Sequence, residues 1–206
     1  MKYLRSSAPE TGSAGSEGLS YVYVLPCAYE DLLKLGFSRD PLARVQTLHP
    51  RYYEFFGLDR GFLIETDTVA EARALELRLR RALAEHNAPA PLTVRRAAGG
   101  HTEWYRGAYD ALTADMERLA GQGSIVHRPL SAWLRDGLLA QRDLLFSRAC
   151  ALLEGVQGDP DALDRPEMIT VRQNALDTLD AYRTLDLPLQ DCLPTALLDW
   201  YQRSSH

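Results

Sequence analysis

Glu76 stands where a carboxylate is expensive. Residues 69–85 (VAEARALELRLRRALAE) place Val69, Ala72, Leu75, Leu79, Ala82 and Leu83 at steps of three and four, the period of one helix face. At roughly 100° per residue, Glu76 falls between Val69 and Leu83 on that face, while Glu71 and Glu85 fall outside it. A carboxylate that faces a core needs a cation or a metal ion beside it. Two readings follow: a structural ion pair with Arg73 or Arg80, or a metal site. Other residue types suited to chemistry lie upstream. Tyr23 sits in LSYVYVL, Lys34 is the one charge inside LLKLGF, and Arg44 lies beside an apolar stripe of Leu42, Val45 and Leu48. Taken singly, a strand tyrosine packs a core, a strand lysine snorkels and a helix arginine is solvated.

These side chains need elements to position them. Leu19–Leu25 is aromatic and β-branched and reads as a strand, with Tyr21 and Tyr23 on one face and Val22 and Val24 on the other. Leu32–Phe37 reads as a second strand, in which Gly36 signals a bulge or a close backbone approach. Ser38-Arg39-Asp40-Pro41 opens a helix, Asp40 capping the free amides and Pro41 suiting the first turn. Leu58–Glu65 is a third strand candidate, weakened by Gly61, and Thr66 or Asp67 then caps the helix of Glu76. Residues 88–101 read as a loop; Glu103-Trp104-Tyr105 leads from it into a helix over about 108–120 that Gly121-Gln122-Gly123 ends. Arg51-Tyr52-Tyr53 with Phe55-Phe56 is an aromatic cluster, read first as core packing and second as base stacking.

The order Tyr-Val-Tyr, Lys-Leu-Gly-Phe-Ser, Asp-Pro-x-x-Arg, Leu-Glu-x-x-Leu and Glu-Trp-Tyr resembles the GIY-YIG nuclease superfamily, in its phage and bacterial branch with a Lys-Ile-Gly second motif and a Glu-Trp-Phe ending. The resemblance covers about residues 19–107. Tyr23 matches the first-motif tyrosine, Lys34-Leu35-Gly36 the second motif with Ser38 following, Arg44 the helix arginine, Glu76 the metal-binding glutamate and Glu103-Trp104-Tyr105 the ending. The chain departs from the pattern at Tyr21, where the first motif has glycine, and at Arg80, often histidine in this branch; the asparagine near the end of many members has no clear counterpart.

The resemblance implies hydrolysis of phosphodiester bonds with one Mg²⁺ or Mn²⁺ held by Glu76 and water. Few protein ligands and many waters suit Mg²⁺, so one carboxylate suffices. Arg44 would neutralise charge on the scissile phosphate. Tyr23 would position or deprotonate the attacking water, with Lys34 the expected cation favouring its phenolate. Arg80, Arg95, Arg96 and Arg106 are the expected DNA contacts near such a site, though a solvated face is the plainer reading of the helix arginines.

Composition bounds the rest. The chain has 206 residues, is 46% apolar and carries a net charge of −5, which gives no general affinity for nucleic acid. The charge is uneven: residues 19–107 hold 12 basic and 11 acidic residues, residues 125–206 hold 8 and 12. Residues 1–18 read as a flexible Gly/Ser-rich tail without signal-peptide character, and no apolar run reaches membrane length. Cys27, Cys150 and Cys192 are scattered without metal spacing, which fits free thiols in a reducing, cytoplasmic compartment. From Arg128 the pattern is helical only: one helix over 129–153, another over about 166–185 and a short one over 194–202.

The expectation is an α/β (α+β) nuclease-like domain at 19–124, with a small three-stranded antiparallel sheet flanked by helices, followed by an α-helical domain at 125–206. The expected function is a Mg²⁺- or Mn²⁺-dependent DNA endonuclease. One alternative is a DNA-binding or interaction module that keeps the fold without useful cleavage. Another is a toxin or defence effector whose helical half binds a protein partner. Contacts with a partner, or with a second copy of the chain, would fall to that helical half.

Overall fold

The computed structural model describes residues 17–204, so the expected tail lies almost wholly outside the described residues. The first two strands expected from the sequence are β1 (Glu17–Pro26) and β2 (Leu32–Ser38), paired antiparallel so that Tyr23 faces Gly36 and Leu25 faces Lys34. The third, β3 (Phe62–Thr68), starts after Gly61, where a side chain would collide with Leu130.

The sheet is not three-stranded. It has six strands, because β4 (Asn87–Ala88), β5 (Trp104–Arg106) and β6 (Val126–His127) extend both edges, in the order β4-β5-β2-β1-β3-β6 with every pairing antiparallel. The added strands are two or three residues long, too short to show alternation. The fold nevertheless stays α+β, with eight α-helices among the described residues.

Each face of the sheet carries its own helices. On one lie α3 (Val69–Ala82) and α4 (Tyr109–Gly121), enclosing Val22, Val24, Leu33, Leu35 and Ile64. Thr68 caps α3, accepting from Glu71 N at 3.1 Å; the cap falls one or two residues later than predicted because β3 runs on to Thr68. On the other face lies α1 (Pro41–Leu48), capped as expected by Asp40 through Ala43 N at 2.9 Å, followed by the four-residue α2 (Tyr52–Phe55). Tyr52, Tyr53 and Phe56 are buried, so the aromatic cluster packs the core.

The helical half covers this second face. The single helix expected over 129–153 is two, α5 (Leu130–Ala140) and α6 (Arg142–Gly155), divided at Gln141. They are followed by α7 (Ile169–Thr184) and α8 (Thr195–Ser204). One apolar cluster runs without interruption from Tyr23, Leu25 and Leu63 on the sheet, through Leu42, Val45 and Leu48, to Leu134, Leu179, Tyr182 and Trp200. No helix among the described residues is long and apolar enough to cross a membrane.

Candidate active site

Cross-strand registry places the first pair of candidate side chains. Tyr23 and Gly36 are direct partners, and a Cβ at position 36 would overlap the Tyr23 hydroxyl. The predicted close approach at Gly36 is therefore the phenol lying across the neighbouring backbone. Lys34, two residues back on the same face of β2, is fully buried between Leu25 of β1 and Trp104 of β5.

From α1, Arg44 reaches the phenol: its Nε donates to Tyr23 Oη at 3.3 Å and its Nη1 to the Ala98 carbonyl at 2.6 Å. The cation hydrogen-bonded to Tyr23 is thus Arg44. Lys34 Nζ instead donates to Glu103 Oε2 at 2.7 Å and to the Leu35 carbonyl at 3.1 Å.

Glu103 continues the network. Its backbone carbonyl accepts from Leu35 N at 3.2 Å, and Asn87 Nδ2 donates to the carbonyls on either side, Thr102 at 2.8 Å and Trp104 at 3.2 Å. Its second oxygen, Oε1, lies 3.4 Å from Arg80 Nη1, which lies 3.2 Å from Glu76 Oε1. Glu76 faces inward on α3 with only 5% of its surface exposed, as the helical period predicts. The four charges therefore alternate, Lys34–Glu103–Arg80–Glu76, and join the sheet to α3. Of the two ion-pair partners considered for Glu76, the structure shows Arg80.

Burial dominates the titration of these groups. It raises the pKa of Tyr23, and Arg44 opposes the rise by charge and hydrogen bond. It lowers Lys34 to about 8, with Glu103 opposing. It raises Glu76, with Arg80 opposing and the neighbouring Glu103 adding to the rise. Glu76 and Glu103 both act on Tyr23 and Lys34 electrostatically, so the cluster is one coupled unit.

A loop closes over it. The segment after Arg95 forms a single 3-10 turn, Arg96–Ala98, and then passes through Gly99 and Gly100 at φ 68° and 67°. A Cβ at Gly100 would press on Lys34 and Glu103, so glycine there permits both the left-handed backbone and the close cover. Ala98, Gly100 and Asn87 were not singled out in the sequence. The Gly99-Gly100 pair was the visible signal; the Ala98 carbonyl and the Asn87 clamp left none.

The remaining candidates stand outside this chain of charges, Trp104 as the strand neighbour of Lys34. Arg95 and Arg96 are exposed on the loop, beside it. Arg106 is exposed at the far end of β5, 4.0 Å from Glu30 of the β1–β2 hairpin. Tyr21 packs edge-on against Trp133 of α5, Ser38 accepts from Asp40 N at 3.0 Å, and Trp104 is fully buried and stacked on Phe56. An apolar cleft between α6 and α7 is lined by none of these residues.

For a metal, the fit rests on Glu76, a buried carboxylate neutralised by one guanidinium, with Glu103 meeting the same nitrogen. No group of three or more His, Cys, Asp or Glu side chains arranged for a metal occurs among the described residues. A two-carboxylate set with water completing the shell suits Mg²⁺ better than an ion that needs a protein cage.

Residues 20–120 match the model of the T5orf172 domain, found in phage-type and homing-nuclease-like proteins. The match runs from within β1 through nearly all of α4 and contains every candidate residue, and it is consistent with a nuclease-like or DNA-interacting module. Searches of curated proteins and of solved structures gave no match.

Proposed function

We propose that this protein is a DNA endonuclease of the GIY-YIG type, with Glu76 holding one Mg²⁺ or Mn²⁺. The observation that carries the reading is the hydrogen bond from Arg44 to the Tyr23 phenol, 3.3 Å, within the cluster that also holds Lys34 and Glu76. A metal at Glu76 supplies Lewis-acid stabilisation of charge on the phosphate. Tyr23, ionised to its phenolate, orients the attacking water and takes its proton, returning to the neutral phenol. Arg44 stabilises the phenolate before that transfer and then meets the phosphate with its fork. Lys34 holds Glu103 in place, and the Ala98–Gly100 cover limits water around the pair.

The experiment is plasmid cleavage by the full chain with and without Mg²⁺. Glu76→Ala should abolish metal-dependent nicking while leaving a folded protein, since a lost ligand removes several kcal/mol of transition-state stabilisation, on the order of 10³-fold in rate or more. Nicking by the variant at the parent's rate would refute the assignment. One observation favours the second reading, a DNA-binding module without cleavage: Glu103 is already paired with Lys34, and Arg80 already bridges Glu103 and Glu76. Duplex binding without nicking under any divalent ion would select it.

A further inference from the structure

Arg80 joins two carboxylates that sequence spacing does not relate. Its Nη1 lies 3.2 Å from Glu76 Oε1 and 3.4 Å from Glu103 Oε1, one nitrogen bridging α3 and the entrance to β5. Both acceptors are held by their elements. Glu76 is fixed by the packing of α3, and Glu103 by its carbonyl bond to Leu35, the Asn87 clamp and Lys34. The guanidinium is the most exposed member: its side chain is 32% exposed, against 24% for Glu103 and 7% for Glu76. A divalent ion arriving at Glu76 meets the same pair of oxygens and competes with a cation already between them.

We propose that Arg80 is a displaceable latch on the metal site, which must turn outward when an ion binds Glu76 and Glu103. The inference rests on the metal-dependent reading above. Released, the guanidinium stands at the rim of the cluster, where a DNA phosphate is a better partner than water. Metal and DNA then bind cooperatively through one side chain: the ion frees Arg80 for the phosphate, and the phosphate holds Arg80 away from the carboxylates. An arginine suits this role because it stays charged in either position.

The test reads binding and not cleavage. Mn²⁺ is titrated into the full chain and followed by the EPR signal of the free ion, with and without a short DNA duplex, for the parent, Arg80→Gln and Glu76→Gln. Arg80→Gln should bind Mn²⁺ about tenfold tighter or more, the scale on which groups touching a metal ligand alter its affinity. DNA should tighten Mn²⁺ binding by the parent and do so less in Arg80→Gln. Equal or weaker Mn²⁺ binding by a folded Arg80→Gln overturns the latch and, if Glu76→Gln loses binding, leaves the metal reading standing. If no chain binds Mn²⁺, Arg80→Gln included, the metal reading fails and the latch with it. Because Arg80→Gln leaves Glu76 buried without its cation, the parent is also followed by side-chain NMR of the Arg80 guanidinium during Mg²⁺ addition. A shift towards the free-arginine position is expected; a resonance unmoved at saturating Mg²⁺ overturns the latch.

Discussion

Two effects oppose each other at the Tyr23 phenol, and burial is the larger: it holds the pKa above the ordinary tyrosine value against the pull of Arg44. Cleavage that uses the phenolate should therefore rise with pH into the alkaline range. Tyr23→Phe should slow it by about 10²-fold or more, as for loss of a general base. Arg44→Met should move the alkaline limb of the pH–rate profile still higher, because the opposing cation is gone; a limb that stays put would detach Arg44 from the phenol. Lys34 gives a stability prediction with the opposite sense. Its folded pKa of about 8 lies below the ordinary lysine value of 10.5, so between those pH values the unfolded chain holds a proton that the folded chain has released. Stability gains from this group as pH rises through that window, and below pH 8 the penalty is present in full, on the order of 3 kcal/mol. Urea unfolding of Lys34→Met should lack that gain relative to the parent, and parallel curves for the two proteins would rule it out. Glu76 was legible in the sequence because its anomaly is local, one carboxylate in a 3.6-residue period. The Lys34–Glu103 pair spans 69 residues, and no periodicity reports a contact at that separation.

At the scale of elements, legibility followed length. Strands β1, β2 and β3 are ten, seven and seven residues and carry recognisable composition, whereas β4, β5 and β6 borrow their pairing from longer neighbours. Tertiary context also divides α5 from α6 at Gln141, where neither proline nor glycine marks a break. The loop over 88–101, legible in the sequence only as Pro and Gly punctuation, supplies the Ala98 acceptor for Arg44 and the Gly100 cover over Lys34. Gly100→Ala tests whether that cover is structural. A methyl group there meets Lys34 and Glu103 and strains a left-handed backbone, costing roughly 1–3 kcal/mol of stability. The loop should lift, weakening the Arg44–Ala98 bond, so hydrogen exchange should quicken across 96–103 while α3 stays protected. Unchanged exchange there would mean that the loop absorbs the methyl group without moving.

For the whole molecule, the question is what the helical half contributes when every candidate residue lies before it. The contacts are specific: Trp133 packs on Tyr21, Leu130 fills the space above Gly61, and Leu42 packs on Gly137. Arg51 bonds Asp177 at 3.1 Å and Asp180 at 3.4 Å, tying the start of α2 to α7. Cutting the chain at residue 124 would leave the sheet face, α1 and α2 uncovered, an apolar patch of several hundred Å² or more, of the size that drives association. A 1–124 fragment should thus keep every group the chemistry needs and still fail as a protein, aggregating or unfolding without cooperativity. Adding residues 125–206 as a separate chain in the same cell should restore solubility. Arg51→Ala in the full chain is the milder form of the same test: Asp177 keeps Gln173 but loses its cation, at a cost of about 1–3 kcal/mol. The loss should appear as a lower urea midpoint with the slope unchanged. A soluble fragment 1–124 that unfolds at the parent's midpoint would show instead that the sheet buries its own core and that the helical half serves only contacts with other molecules.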